Sequence, residues 1–174
     1  GADPGLAVRD SDVEAANARR PVIRWLLDSD EPWTRYRTLV DLVEHPESDP
    51  QVAANRTQIL DHPRVREFIA EVARWPGHTL KRHNDASHPL HALAALGDFG
   101  IRARDPGVSP AIDAIMAHQS DDGALQVLLN ISKAFGGSGE DGWSWVACDA
   151  PVHLYALLAM ECGDNPRGRL LCRQ

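Results

Sequence analysis

Proline placement is the feature that most constrains this chain. Proline lacks a backbone N–H and has a fixed φ, so it is accepted in the first turn of a helix and expelled from the interior. Most of the 12 prolines stand just ahead of an apolar run with helical spacing. Pro21 is expected to open a helix over 22–28, and Pro32 one over 33–44. Ser48 is placed to cap a segment starting at Pro50, with Gln51 at the capping-box position. Pro63 leads into Val65, Phe68, Ile69, Val72 and Ala73, at offsets 0, 3, 4, 7 and 8, which is one apolar helical stripe. Ser87 precedes the run from Pro89 to a stop at Gly100. Ser109 precedes Pro110, and Asp149 precedes Pro151, whose helix is expected to stop at Gly163.

Two of these helices are apolar on more than one face. Leu90, Leu93, Ala94 and Gly97 form one stripe of 90–99, and Ala92, Ala95, Leu96 and Phe99 a second. In 152–162, Val152, Tyr155, Ala156 and Ala159 oppose Leu154, Leu157, Leu158 and Cys162. A helix apolar nearly all round is expected to be buried nearly all round. The helix of Ile112, Ile115 and Met116 also carries Asp113 and His118 and needs one covered face. Inner helices are thus expected to alternate with outer ones.

The connections repeat. Asp49-Pro50-Gln51-Val52 and Asp105-Pro106-Gly107-Val108 lie 56 residues apart, and Asp164-Asn165-Pro166 plays the same part later. Pro89-Leu90-His91 and Pro151-Val152-His153 match as helix starts, 62 residues apart. A period of roughly 55–60 residues suits a helical hairpin with its connections. The fold expected is all-α: about three repeated helical hairpins over 21–174, behind a flexible tail at 1–20. Residues 123–145 break the pattern, with an apolar run at 124–131 that could be extended and a loop at Gly136-Gly137-Ser138-Gly139.

Composition excludes several classes of function. A net charge of −7 with no long Lys/Arg run argues against nucleic acid or an anionic membrane as partner. Three cysteines, Cys148, Cys162 and Cys172, suit no disulfide framework. The longest apolar stretch, 154–160, is too short to span a bilayer. No charged and then apolar leader opens the sequence, and a cytoplasmic location is expected. A P-loop, a Gly-x-Ser-x-Gly elbow and a His-Glu-x-x-His helix are all missing.

Inner and outer helices joined by Asp-Pro turns resemble the α/α-toroid superfamily of squalene and terpene cyclases and protein prenyltransferases. His118-Gln119-Ser120-Asp121-Asp122-Gly123-Ala124-Leu125 is similar to that superfamily's Gln-x-x-Asp-Gly-x-aromatic turn, with Leu125 in the aromatic place. The segments 25–32 (Trp25 to Pro32) and Cys148-Asp149-Ala150-Pro151 look like an uncharacterised bacterial family of prenyltransferase/cyclase-like proteins. The resemblance covers about 21–174 and implies a partial α/α toroid. A closed toroid has about six hairpins. A C-terminal truncation is therefore expected, or a homodimer that covers the open side.

The candidate chemistry gathers at one rim. His88 and His91 lie on the first turn of one inner helix. Cys148, Asp149 and His153 surround the start of the other, and His83 is nearby in sequence. If the two inner helices run parallel as neighbours, as in a toroid, these groups converge. Thiolate, imidazole and carboxylate then suit Zn²⁺, with His88, His91 and Cys148 as ligands. Asp149, His91 and His153 are the candidate catalytic groups. The resemblance implies zinc held by Asp, Cys and His at such a rim, although the Asp-x-Cys order of the prenyltransferases is replaced by Cys148-Asp149. The alternative is an N-capping Asp149, hydrogen-bonded core histidines and a filler Cys148. Trp143, Trp145 and Asp141 form a candidate wall for an apolar or isoprenoid substrate. Lys81 and Arg82 would meet a diphosphate, or are simply solvated. Asp28-Ser29-Asp30-Glu31 reads as helix-start acids rather than an alkene-protonating motif. Two functions follow: a prenyltransferase/terpene-cyclase-like protein with its pocket at the rim, or a non-catalytic helical-repeat binding module.

Overall fold

A computed structural model describes residues 10–82, 84–145 and 147–162, with only the backbone of 10–18. His83, the stop expected at Gly163, the turn at 164–166 and Cys172 lie outside the described residues. The chain divides into two compact units, Gly1–Gln58 and Ile59–Gln174.

In the first unit α1 spans Asp10–Leu27 and α2 spans Pro32–Arg37, the latter running into a π-helical stretch at Thr38–Leu42. Pro21 lies inside α1 rather than at its start. The residues ahead of it are helical too, so the proline forfeits one interior hydrogen bond without ending the helix. Pro32 does open its helix, behind Glu31, whose side chain makes no cap bond. The third helix, α3 (Pro50–Asp61), begins where Gln51 N–H donates to Asp49 Oδ1 at 2.7 Å. The cap therefore falls on Asp49, not Ser48. Its carboxylate pKa is lowered, chiefly by that backbone bond. Arg35 ties α2 to α3 through Asn55 Oδ1 (2.7 Å) and Gln58 Oε1 (2.6 Å), while Tyr36, Leu39 and Val52 are buried.

The second unit holds α4 (Pro63–Val72), α5 (Pro89–Asp98), α6 (Ser109–Met116) and α7 (Ala150–Ala159). The apolar stripe of α4 faces inward: Val65 and Val72 are fully buried, and Phe68 stacks on Phe99 at 6.3 Å between centroids. Arg64 pairs with the exposed Glu67, and its guanidinium lies over the Phe68 ring at 4.4 Å. Histidines cap two of these helices. His62 accepts from Arg64 N–H, and His88 Nδ1 accepts from Leu90 N–H at 3.2 Å, so His88 replaces the expected Ser87. Ser87 instead donates to Asp85. Ser109 is the first residue of α6 rather than its cap.

The structure is mostly helical, consistent with a largely all-α fold, and carries one small two-stranded sheet. β1 (Val127–Leu129) pairs antiparallel with β2 (Gly142–Ser144), with Val127 opposite Ser144 and Leu129 opposite Gly142. From Gly123 to Leu129 burial alternates residue by residue, the period of a strand with one covered face. Leu80 adds a parallel bridge on the other side of β1, through Leu80 N–H to Leu128 O at 2.8 Å. Ahead of β1 the Gln119 amide donates to Gly123 O at 2.8 Å and Gly123 takes φ +91°, closing a tight turn that suits glycine.

α5 packs against both α4 and α7. Its only exposed residue is Asp98; Leu93 and Leu96 are fully buried. α5 and α7 run in the same direction: Trp75 touches both His88 and His153 near the two starts, while Gly97 meets Ala156 and Ala159 further along. A Cβ on Gly97 would lie 3.2 Å from Ala156 Cα and 3.3 Å from Ala156 O, so glycine sets the approach of the two backbones. α7 corrects the expectation of all-round burial. His153, Ala156 and Leu157 are buried, but Val152, Tyr155 and Leu158 face water. Those residues lie along one side of the helix, and no described element covers it.

Gly97→Val should lower the unfolding free energy by about 1–3 kcal/mol in urea titrations, because the added methyls meet backbone rather than a movable side chain. Glycine removal from a helix interior otherwise stabilises by about 0.5–1 kcal/mol. An unchanged or raised stability would therefore show that the two helices are not in contact there.

Candidate functional site

The parallel pair α5 and α7 brings part of the sequence-predicted rim together. His88 stands at the N-cap of α5 and His91 in its first turn; Asp149 stands at the N-cap of α7 and His153 in its first turn. The charges of Asp149, His88 and His91 all bear on His153. Trp75 is the partner the sequence reading missed. It ends the α4 segment and is 7% exposed, and its ring lies 6.0 Å from His88 and 5.7 Å from His153, edge-on to both. Its indole N–H donates to Gln126 O at 3.1 Å, which fixes the ring. A tryptophan at a helix end, ahead of Pro76-Gly77, was the available signal.

His88 is structural. Nδ1 accepts from Leu90 N–H, and Nε2–H donates to His78 O at 3.2 Å. That assignment defines one neutral tautomer. Burial, helped by neighbouring His78, lowers its pKa. The His78 ring in turn meets Asp85 Oδ2 at 2.6 Å, and Asp85, bonded to Ser87 and His78, has its pKa lowered to about 2. The loop ahead of α5 therefore holds His88 at Nε2, and the first turn of α5 holds it at Nδ1.

The zinc set of His88, His91 and Cys148 does not fit this arrangement. A metal needs an imidazole lone pair, and that of His88 is already engaged by a backbone amide. Cys148 is exposed. Among the described residues no group of three or more His, Cys, Asp and Glu side chains is placed to hold a metal ion.

His153 differs from His88. It is 2% exposed, and neither ring nitrogen has a hydrogen-bond partner among the described residues. His91 Nε2 is likewise buried without one. A buried polar atom left in this state costs about 1–3 kcal/mol, so the arrangement calls for an explanation. Burial pulls the pKa of His153 down to about 4, against the opposing field of Asp149. At neutral pH its imidazole is uncharged, with one N–H to donate and one lone pair to accept.

His153 also lines a pocket of about 330 Å³. Gly123, Ala124 and Leu125 of the tight turn form one wall, and Trp145, Ala147 and Leu154 complete an apolar lining. The remaining expected substrate residues lie elsewhere. Trp143 stacks on His118 with centroids 3.6 Å apart. Asp141 accepts from Asn130 (2.7 Å) and Thr79 (2.8 Å). Lys81 and Arg82 line a second groove with Leu80 and Leu129. Of the expected residues, His153 and Trp145 thus line one pocket and Lys81 and Arg82 another.

No protein-family model matches the chain, and no curated protein or solved structure matches it either. Among the described residues no helix is long and apolar enough to cross a membrane.

Because His153 titrates near 4 when folded and near 6.5 when unfolded, the unfolded chain takes up the proton first as pH falls. Stability should therefore drop across the window from about pH 6.5 to 4, by up to about 1.4 kcal/mol per pH unit for this one group. Urea unfolding at pH 7.5 and 5.0 should show a smaller loss for His153→Leu than for the wild-type chain. Equal losses would mean that His153 is not held neutral.

Proposed function

We propose that this chain is a binding module for an uncharged, largely apolar small molecule carrying a hydroxyl or carbonyl group, such as an isoprenoid alcohol. The single observation that carries this reading is His153: a neutral imidazole, buried, lining an apolar pocket, with both nitrogens unused among the described residues. A pocket near 330 Å³ lies at the small end of the range for organic ligands, and one polar handle in an apolar lining sets orientation.

The α/α-toroid reading supports the same site. The Gln119–Gly123 turn that carries the resemblance is closed by its glutamine and forms a wall of the pocket. α5 and α7 would be two inner helices of a partial toroid built from helical hairpins, with their prolines at a shared end. Binding is favoured over prenyltransferase- or cyclase-like catalysis. General acid–base work is most efficient with a pKa near the working pH, and His153 sits well below it.

The test uses geraniol and its hydrocarbon analogue myrcene, followed through tryptophan fluorescence. Geraniol should bind the wild-type chain about tenfold more tightly than myrcene, the worth of roughly one hydrogen bond. His153→Leu should bind the two equally, while its ligand-free stability at pH 7.5 is unchanged or higher, because an unsatisfied group has been removed. If geraniol fails to bind the wild-type chain, or if His153→Leu is destabilised by more than about 2 kcal/mol with binding intact, the histidine is structural and the reading fails.

A further inference from the structure

The second groove differs from the His153 pocket in size and charge. It encloses about 660 Å³. Leu80 and Leu129, both buried, form its floor, brought side by side by the bridge between residue 80 and β1. Ile131 and Phe135 form a wall, and Phe135 is 86% exposed, a large aromatic surface left in water. The polar rim is made of Lys81, Arg82 and Asn84, all able to donate hydrogen bonds. Both Lys81 and Arg82 are exposed, and Lys81 interacts electrostatically with Asp141. The nearby Asp141 is committed to Asn130 and Thr79, and its lowered pKa, to which Lys81 contributes, keeps it ionised. In a chain of net charge −7 this is a local cationic edge beside an apolar trough.

We propose that this groove binds a single-chain anionic amphiphile, a carboxylate or phosphate head on an unbranched or prenyl tail. Lys81 and Arg82 take the head, and Leu80, Leu129, Ile131 and Phe135 cover the tail. Charge complementarity selects the anion: an anionic head gains from the basic pair where a neutral chain does not, and a bare anion would leave the trough wet. The site is independent of the His153 pocket and shares no lining residue with it.

Isothermal titration calorimetry with octanoate and decanoate below their micellar concentrations, decanol, and inorganic phosphate decides the matter. Decanoate should bind with a Kd of about 1 mM or tighter. Each methylene that stays in the groove should tighten binding roughly fourfold, so decanoate should exceed octanoate by about fifteenfold. The double variant Lys81→Glu/Arg82→Glu, altered only at exposed side chains, should weaken decanoate at least tenfold while keeping the wild-type unfolding midpoint. Phe135→Asp should weaken it with the head-binding residues intact. Failure of decanoate to bind, equal affinity for decanol, affinity for phosphate as high as for decanoate, or an unaffected charge-reversal variant would each overturn the proposal.

Discussion

The contact on which the second unit depends is the backbone approach of α5 to α7 at Gly97 and Ala156. A Cβ at Gly97 would stand 3.2 Å from the Ala156 Cα, so any larger residue there would push the two backbones apart by a few tenths of an ångström. The consequence is felt one to two turns away. With the two helices parallel and in close register, the first-turn histidines His91 and His153 and the N-cap residues His88 and Asp149 are drawn to one end, against Trp75. α5, covered by α4 on another side, then becomes the central element of the unit.

That geometry creates a polar cluster in an apolar setting, and its members solve the problem differently. His88 is satisfied at both nitrogens by backbone groups, and it caps its helix. His153 is satisfied at neither. The two rings share a neighbour in Trp75 and both have depressed pKa values, so burial alone does not distinguish them. Hydrogen bonding does. A histidine whose nitrogens are spent on the chain is part of the scaffold; His153 lines a pocket with neither nitrogen so spent among the described residues.

Much of this was legible in the sequence, and the reasons for the remainder are physical. Pro32, Pro50, Pro63 and Pro89 mark helix starts because the missing N–H is harmless there, and the paired Pro-x-His segments pointed to equivalent turns on two helices. The caps expected at Ser48 and Ser87 fall one residue later because Asp49 and His88, each directly before a proline, accept the amide two residues on. The extended run through 127–129 was visible as an apolar stretch, but its partner β2 depends on pairing across a loop, which no local pattern records. The exposure of Val152, Tyr155 and Leu158 could not be read from composition, since α7 is apolar on every side and only packing decides which face is covered. Nor could the placement of Lys81 and Arg82 in a groove other than the His153 pocket, which follows from Leu80 bridging to β1 and carrying the two with it.

The most direct test of the central claim is a long-range ¹H–¹⁵N correlation spectrum of the imidazole rings. The account predicts that His153 shows the nitrogen shifts of a single neutral tautomer from pH 8 down to about 5, and that these shifts move when a hydroxyl-bearing apolar ligand is added, while those of His88 stay fixed. A His153 ring that protonates near pH 6.5, or one whose nitrogens are indifferent to every such ligand, would contradict it.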